Sequence, residues 1–125
     1  MGNPITDKIK LGTIGETYAQ LRLLELDVQA SFPLKDSGND LIAIKGDICK
    51  YLQVKTTEHN RISKPNSKTV YDYLIIVKKN KGMNITDDKP KLYILSKEDV
   101  EKHYHGLKTI DKKYNFDQRV VEIWK

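Results

Sequence analysis

The sequence predicts an α/β domain built on a mixed central sheet flanked by helices. Three observations carry that expectation. The first is an opening segment whose apolar residues recur at helical spacing. The second is a pair of short apolar runs folded around Lys45-Gly46-Asp47. The third is the unbroken apolar stretch "YLIIV" (73–77), followed later by "LYIL" (92–95). At 125 residues the chain suits one domain, taken here as 1–125, with a real but modest core.

Residues from about Thr6 to Leu26 read as a helix. Ile14, Tyr18, Leu21 and Glu25 fall on one stripe, and Leu24 and Val28 widen its apolar part. "DVQASFP" (27–33) follows as a strand closed by Pro33, and "KDSGN" (35–39) is a loop by composition. "DLIAI" (40–44) and "ICKYLQVKTT" (48–57) form a hairpin. "EHNRISKPNSK" (58–68), polar and broken by Pro65, is a connecting loop. "TVYDYLIIVKK" (69–79) reads as a strand buried on both faces, because its apolar run does not alternate. "KLYILS" (91–96) is a fifth strand, and Ser96 with Asp99 forms a capping-box-like start to a short helix running to about Tyr104. The tail "QRVVEIWK" (118–125) is compatible with a last strand or an amphipathic segment.

Composition excludes several classes. With 38% hydrophobic and 31% charged residues and a mean hydropathy of −0.59, no apolar run approaches membrane-spanning length. The start lacks the layout of a secretory signal, and Cys49 is the only cysteine, so a cytoplasmic location is expected. A cysteine zinc site, a glycine-rich phosphate loop and an HExxH helix are all absent from the sequence. Net charge is +5, and "RISKPNSK" (61–68) and "KKNKG" (78–82) hold much of the excess. Basic loops of this kind are either solubilising surface or a footprint for a polyanion.

The hairpin holds the candidate chemistry. On the longer strand Tyr51, Gln53 and Lys55 face one side, and Leu52 and Val54 the other. Counting outward from Gly46 sets Asp40 opposite Leu52 or Gln53, so an acid, an amide oxygen and an ammonium meet at one end of the hairpin. Such a group suits Mg²⁺, a hard ion that takes oxygen ligands and keeps several waters. Asp40 would supply a carboxylate, and the Gln53 side chain or the Val54 carbonyl further oxygens. Lys55 would orient an attacking water. Glu16 on the first helix is the candidate second carboxylate. Each residue also has a structural reading: Thr13 to Glu16 matches a capping box, Asp40 a turn cap, and Lys55 a solvated strand end.

"GTIGE" (12–16), "GNDLIAI" (38–44) and "QVK" (53–55), in that order and spacing, resemble the motifs of the PD-(D/E)XK nucleases. The likeness is closest to the branch associated with group I intron homing endonucleases, in which Gln replaces the acid of the (D/E)-x-Lys triplet. It spans roughly residues 10 to 104 and departs from the pattern at Asn39, where the family name has Pro. It implies a restriction-endonuclease-like α-β-β-β-α-β core. It further implies an Mg²⁺-dependent DNA endonuclease, with Mn²⁺ able to substitute, whose catalytic and metal set is Glu16, Asp40, Gln53 and Lys55. Double-stranded DNA would be the partner, met by Arg61, Lys64, Lys68, Lys78, Lys79 and Lys81. Cutting both strands would call for a homo-oligomer, a dimer or tetramer. Two alternatives stay open: a junction-resolving or repair nuclease, and a catalytically inactive nucleic-acid-binding module on the same fold.

Overall fold

The computed structural model describes residues 5–33, 40–61, 64–65, 69–103, 110 and 112–125. Helix α1 (Asp7–Glu25) leads into strands β1 (Gln29–Ser31), β2 (Leu41–Lys45), β3 (Ile48–Thr57), β4 (Tyr73–Lys78) and β5 (Lys91–Ser96). Helix α2 (Lys97–His103), a 3-10 turn at Lys112–Tyr114 and helix α3 (Phe116–Ile123) complete the order. The five strands form one mixed sheet in the order β1-β2-β3-β4-β5. Every neighbouring pair is antiparallel except β3 and β4, which run parallel. The expected α/β architecture, a mixed sheet flanked by helices, is therefore what the chain adopts. The described residues of the crossover between β3 and β4 contain no helix.

Two apolar layers cover the two sheet faces. On one face Tyr18, Ala19 and Leu23 of α1 and Phe116, Val120 and Trp124 from the α3 region pack on Leu41, Leu52, Val54, Ile75, Val77 and Ile94. On the other, Leu74, Ile76 and Leu95 are covered by Tyr71, Val100 and Tyr114. β4 sits between both layers, which is why four consecutive residues, Leu74 to Val77, are buried. β4 is an interior strand, paired on one side with β3 and on the other with β5, where the long apolar run belongs.

Several elements differ in detail from the sequence expectation. The core stripe of α1 is Gly15, Tyr18, Ala19 and Leu23. Leu21 and Leu24 are 50% and 61% exposed, on the outward side. Small residues line the contact because α1 lies close against β3: a Cβ on Gly15 would overlap the Thr56 side chain. β4 begins at Tyr73 rather than near residue 69, and the tail is helical, with α3 burying Phe116 and Val120. Thr6 caps α1 by accepting from the Ile9 N–H at 3.2 Å, so Thr13 and Glu16 lie inside the helix and form no capping box. The capping box at α2 does form: the Asp99 N–H donates to Ser96 Oγ at 3.0 Å and the Ser96 N–H to Asp99 Oδ2 at 3.3 Å.

Candidate active site

The β2–β3 register pairs Leu41 with Leu52, which sets Asp40 level with Gln53 as the hairpin count expects. The Asp40 N–H extends the ladder by donating to the Leu52 carbonyl at 2.8 Å. β3 continues past this point while β2 has not yet begun, leaving the Val54 N–H without a strand partner. Asp40 Oδ2 accepts that N–H at 2.8 Å. One carboxylate oxygen thus stands in for a missing strand, and the bond fixes the side chain beside β3.

Glu16 reaches this group from α1. Gln20, one turn further along the same side of the helix, donates through Nε2 to the Ala30 carbonyl at 2.8 Å and locks α1 against β1. The Gly15–Thr56 contact fixes how closely the helix approaches. Glu16 is half-buried, and its carboxyl is raised above the ordinary range, first by loss of water around it and then by the negative charge of Asp40. The two carboxylates therefore feel one another, as a shared cation site requires.

Gln53 points to the opposite face from Leu52 and Val54. Its Oε1 is buried and has no hydrogen-bond partner among the described residues. An amide oxygen without a donor is costly in a folded protein, and such an atom, on the strand position level with Asp40, is an acceptor available to a cation. Lys55, half-buried and level with Ile76 of β4, forms no ion pair or hydrogen bond with the described residues. Among the described residues no three His, Cys, Asp or Glu side chains gather as a metal-holding group. The oxygens offered by Glu16, Asp40 and Gln53 are all hard donors, of the kind Mg²⁺ or Mn²⁺ takes.

The basic residues fall into separate groups. Arg61, Lys64 and Lys81 are exposed. Lys79 is tied to Glu58 at 3.3 Å, with its side chain 11% exposed, and Lys78 donates to Asn60 Oδ1 at 2.5 Å. These two lysines pin the turn after β3 to the strand end of β4. Lys68 lies outside the described residues. A cavity of about 560 Å³ opens between β5 and the start of α3, lined by Arg22, Tyr93, Asn115 and Asp117 among others, and none of the candidate residues borders it.

The fold resembles that of a homing endonuclease. The solved structure of the bacterial homing endonuclease I-Ssp6803I superposes with a TM-score of 0.57 at 18% identity, covering 81% of this chain and 76% of that one. No protein-family profile and no curated protein matches the sequence. The likeness concerns the fold. The residue group described above rests on this chain's own geometry. No described helix is long and apolar enough to cross a membrane.

One further residue, Asp72, is noted in the sequence near a strand start but assigned no firm role there. Asp72 Oδ2 accepts the Tyr51 N–H at 2.8 Å, two residues before Gln53. Its signal was available, since Asp72 stands directly ahead of an apolar strand just as Asp40 does.

Proposed function

We propose that this chain is a metal-dependent DNA endonuclease of the PD-(D/E)XK type that hydrolyses phosphodiester bonds in double-stranded DNA. The observation that carries the reading is Asp40, which stands level with Gln53 just ahead of β2 and whose charge acts on Glu16 of α1. The Glu16 carboxyl is raised first by burial and then by the charge of Asp40, and the buried Gln53 amide oxygen has no donor among the described residues. A divalent cation held by these oxygens would offset the negative charge and give the amide oxygen a partner. The homing-endonuclease fold supports the same class of activity.

Glu16, Asp40 and Gln53 would hold the ion, with the Val54 carbonyl as a further oxygen. Bound there, a divalent ion supplies positive charge that polarises the phosphate and acidifies water. Lys55 follows Gln53 by two residues on the same face of β3. Its ammonium orients the attacking water and offsets the negative charge that builds on the phosphate oxygens in the transition state. Arg61, Lys64 and Lys81, exposed on the loops after β3 and β4, are assigned to DNA phosphates, and Lys68 is proposed with them. Cutting both strands calls for two copies of the site, hence a homodimer or tetramer. A second reading, nucleic-acid binding without catalysis, rests on Gln53, which leaves the site one negative charge short of the acidic pattern.

The deciding experiment is cleavage of supercoiled plasmid carrying a diverse insert library, with Mg²⁺, with Mn²⁺ and without metal, beside Lys55→Ala. Metal-dependent nicking or linearisation that falls by about 10²- to 10³-fold in the variant is expected. DNA binding with no cleavage under any metal condition would replace the enzyme reading with the binding module. Preferential cutting of branched over linear DNA would move the substrate to junctions.

A further inference from the structure

We infer that Asp72 is a positioning residue for Gln53, acting through the backbone of β3. The inference rests on the nuclease reading of Glu16, Asp40, Gln53 and Lys55. Asp40 and Asp72 occupy equivalent places on the two sides of β3. Each immediately precedes the first residue of a neighbouring strand, Leu41 of β2 and Tyr73 of β4. Each donates its own N–H into β3, Asp40 to the Leu52 carbonyl at 2.8 Å and Asp72 to the Tyr51 carbonyl at 2.7 Å. Each also accepts a β3 N–H on Oδ2 at 2.8 Å, from Val54 and Tyr51 respectively.

A carboxylate thus replaces the missing strand on both edges of β3, and Gln53 lies between the two clamped amides. The Asp72 clamp closes on a single residue, holding both the N–H and the carbonyl of Tyr51. It is anchored in turn at the head of α2, where the Lys97 N–H donates to the Asp72 carbonyl at 3.1 Å. Among the described residues the Gln53 oxygen has no hydrogen bond of its own to aim it. Its position is therefore set by its backbone, and the backbone is set by these two braces. Releasing one brace lets Gln53 and Lys55 shift together, and displacements of about 1 Å at a reacting centre cost on the order of 10²-fold in rate.

Asp72→Asn separates this role from a direct one, because an amide oxygen still accepts the Tyr51 N–H but carries no charge. Cleavage rates at saturating and limiting DNA should be measured for wild type, Asp72→Ala, Asp72→Asn and Lys55→Ala, with amide hydrogen exchange followed at Tyr51. Asp72→Ala is expected to lower kcat by about 10- to 100-fold with KM nearly unchanged, and to speed exchange at Tyr51. Asp72→Asn should restore both within about threefold. An Asp72→Ala enzyme that cleaves like wild type, while Lys55→Ala is inactive, overturns the inference and leaves the nuclease reading standing. An Asn variant as impaired as Ala, with slow Tyr51 exchange, overturns it in favour of a charge acting at the site. A wild type that cleaves nothing removes the nuclease reading and this inference with it.

Discussion

Gly15 of α1 and Thr56 of β3 meet so closely that a Cβ at position 15 would lie 1.7 Å from the Thr56 Oγ1 and 2.7 Å from its Cβ. The contact sets the spacing between the helix that carries Glu16 and the strand that carries Gln53 and Lys55. Gly15→Ala must push the helix outward, because the nearest atoms belong to a β-branched side chain rather than a flexible tip. Overpacking of this kind costs about 1–3 kcal/mol, and urea denaturation should show it. Cleavage should fall as well, since Glu16 moves with the helix. Adding Thr56→Ala removes Oγ1 and Cγ2 but keeps the Cβ, so the double variant should recover only part of the stability. Strict additivity of the two changes would contradict the contact.

Glu16 makes stability depend on pH in a definite direction. Its carboxyl is raised on folding, by burial first and by Asp40 second. The native state therefore holds this proton more tightly than the unfolded chain. The resulting stability is present below the ordinary value of 4.5 and lost as pH rises through the raised native value. Glu16→Gln removes the ionisation and should unfold at a higher temperature than wild type near pH 7, with the gap closing below pH 4.5. Thermal unfolding across that range measures it. A Gln variant less stable than wild type at neutral pH would mean the carboxylate is favourably held.

The sequence and the structure agree where chemistry and strand alternation coincide, and part where small residues do the packing. The placing of Asp40 level with Gln53 was legible because a hairpin turn at Gly46 fixes register. α1 was legible as a helix, yet its buried side was misjudged. Hydropathy points to Leu21 and Leu24, whereas Gly15 and Ala19 form the contact precisely because they are small. The tail was undecided because a window opening at Gln118 omits Phe116, which with Val120 and Trp124 completes a buried stripe at four-residue spacing. The Asp72 clamp depends on where β4 starts: a strand expected from residue 69 puts this aspartate inside it, whereas β4 begins at Tyr73 and leaves Asp72 at its threshold.

Lys79 and Lys81, two residues apart, should behave differently when removed. Lys79 is 11% exposed and paired with Glu58, whose side chain is 25% exposed, while Lys81 is open to solvent. Lys79→Ala leaves a partly buried carboxylate without its cation and should lower stability by about 1–3 kcal/mol, between the values for surface and buried pairs. Lys81→Ala should leave stability unchanged and reduce the salt dependence of DNA binding by about one counterion. Denaturation and salt titrations of DNA affinity distinguish them. Equal stability losses in the two variants would contradict this division of roles.

Divalent ions should stabilise the folded chain, and Asp40 is the residue through which that effect is best tested. A ligand that binds only the native state adds about 2.7 kcal/mol at a concentration 100 times its dissociation constant. Mg²⁺ and Mn²⁺ should therefore raise the unfolding temperature of wild type. Asp40→Asn keeps an oxygen able to accept the Val54 N–H, so the strand edge remains satisfied and the variant should fold. It also withdraws one of the two negative charges, so the rise with Mg²⁺ should shrink or vanish. Glu16→Gln should lose it likewise, for the same reason from the other side of the site. Thermal unfolding with increasing Mg²⁺, with Ca²⁺ and added monovalent salt as controls, reads this without any DNA present. A rise of equal size in wild type and both variants would place the ion elsewhere on the protein.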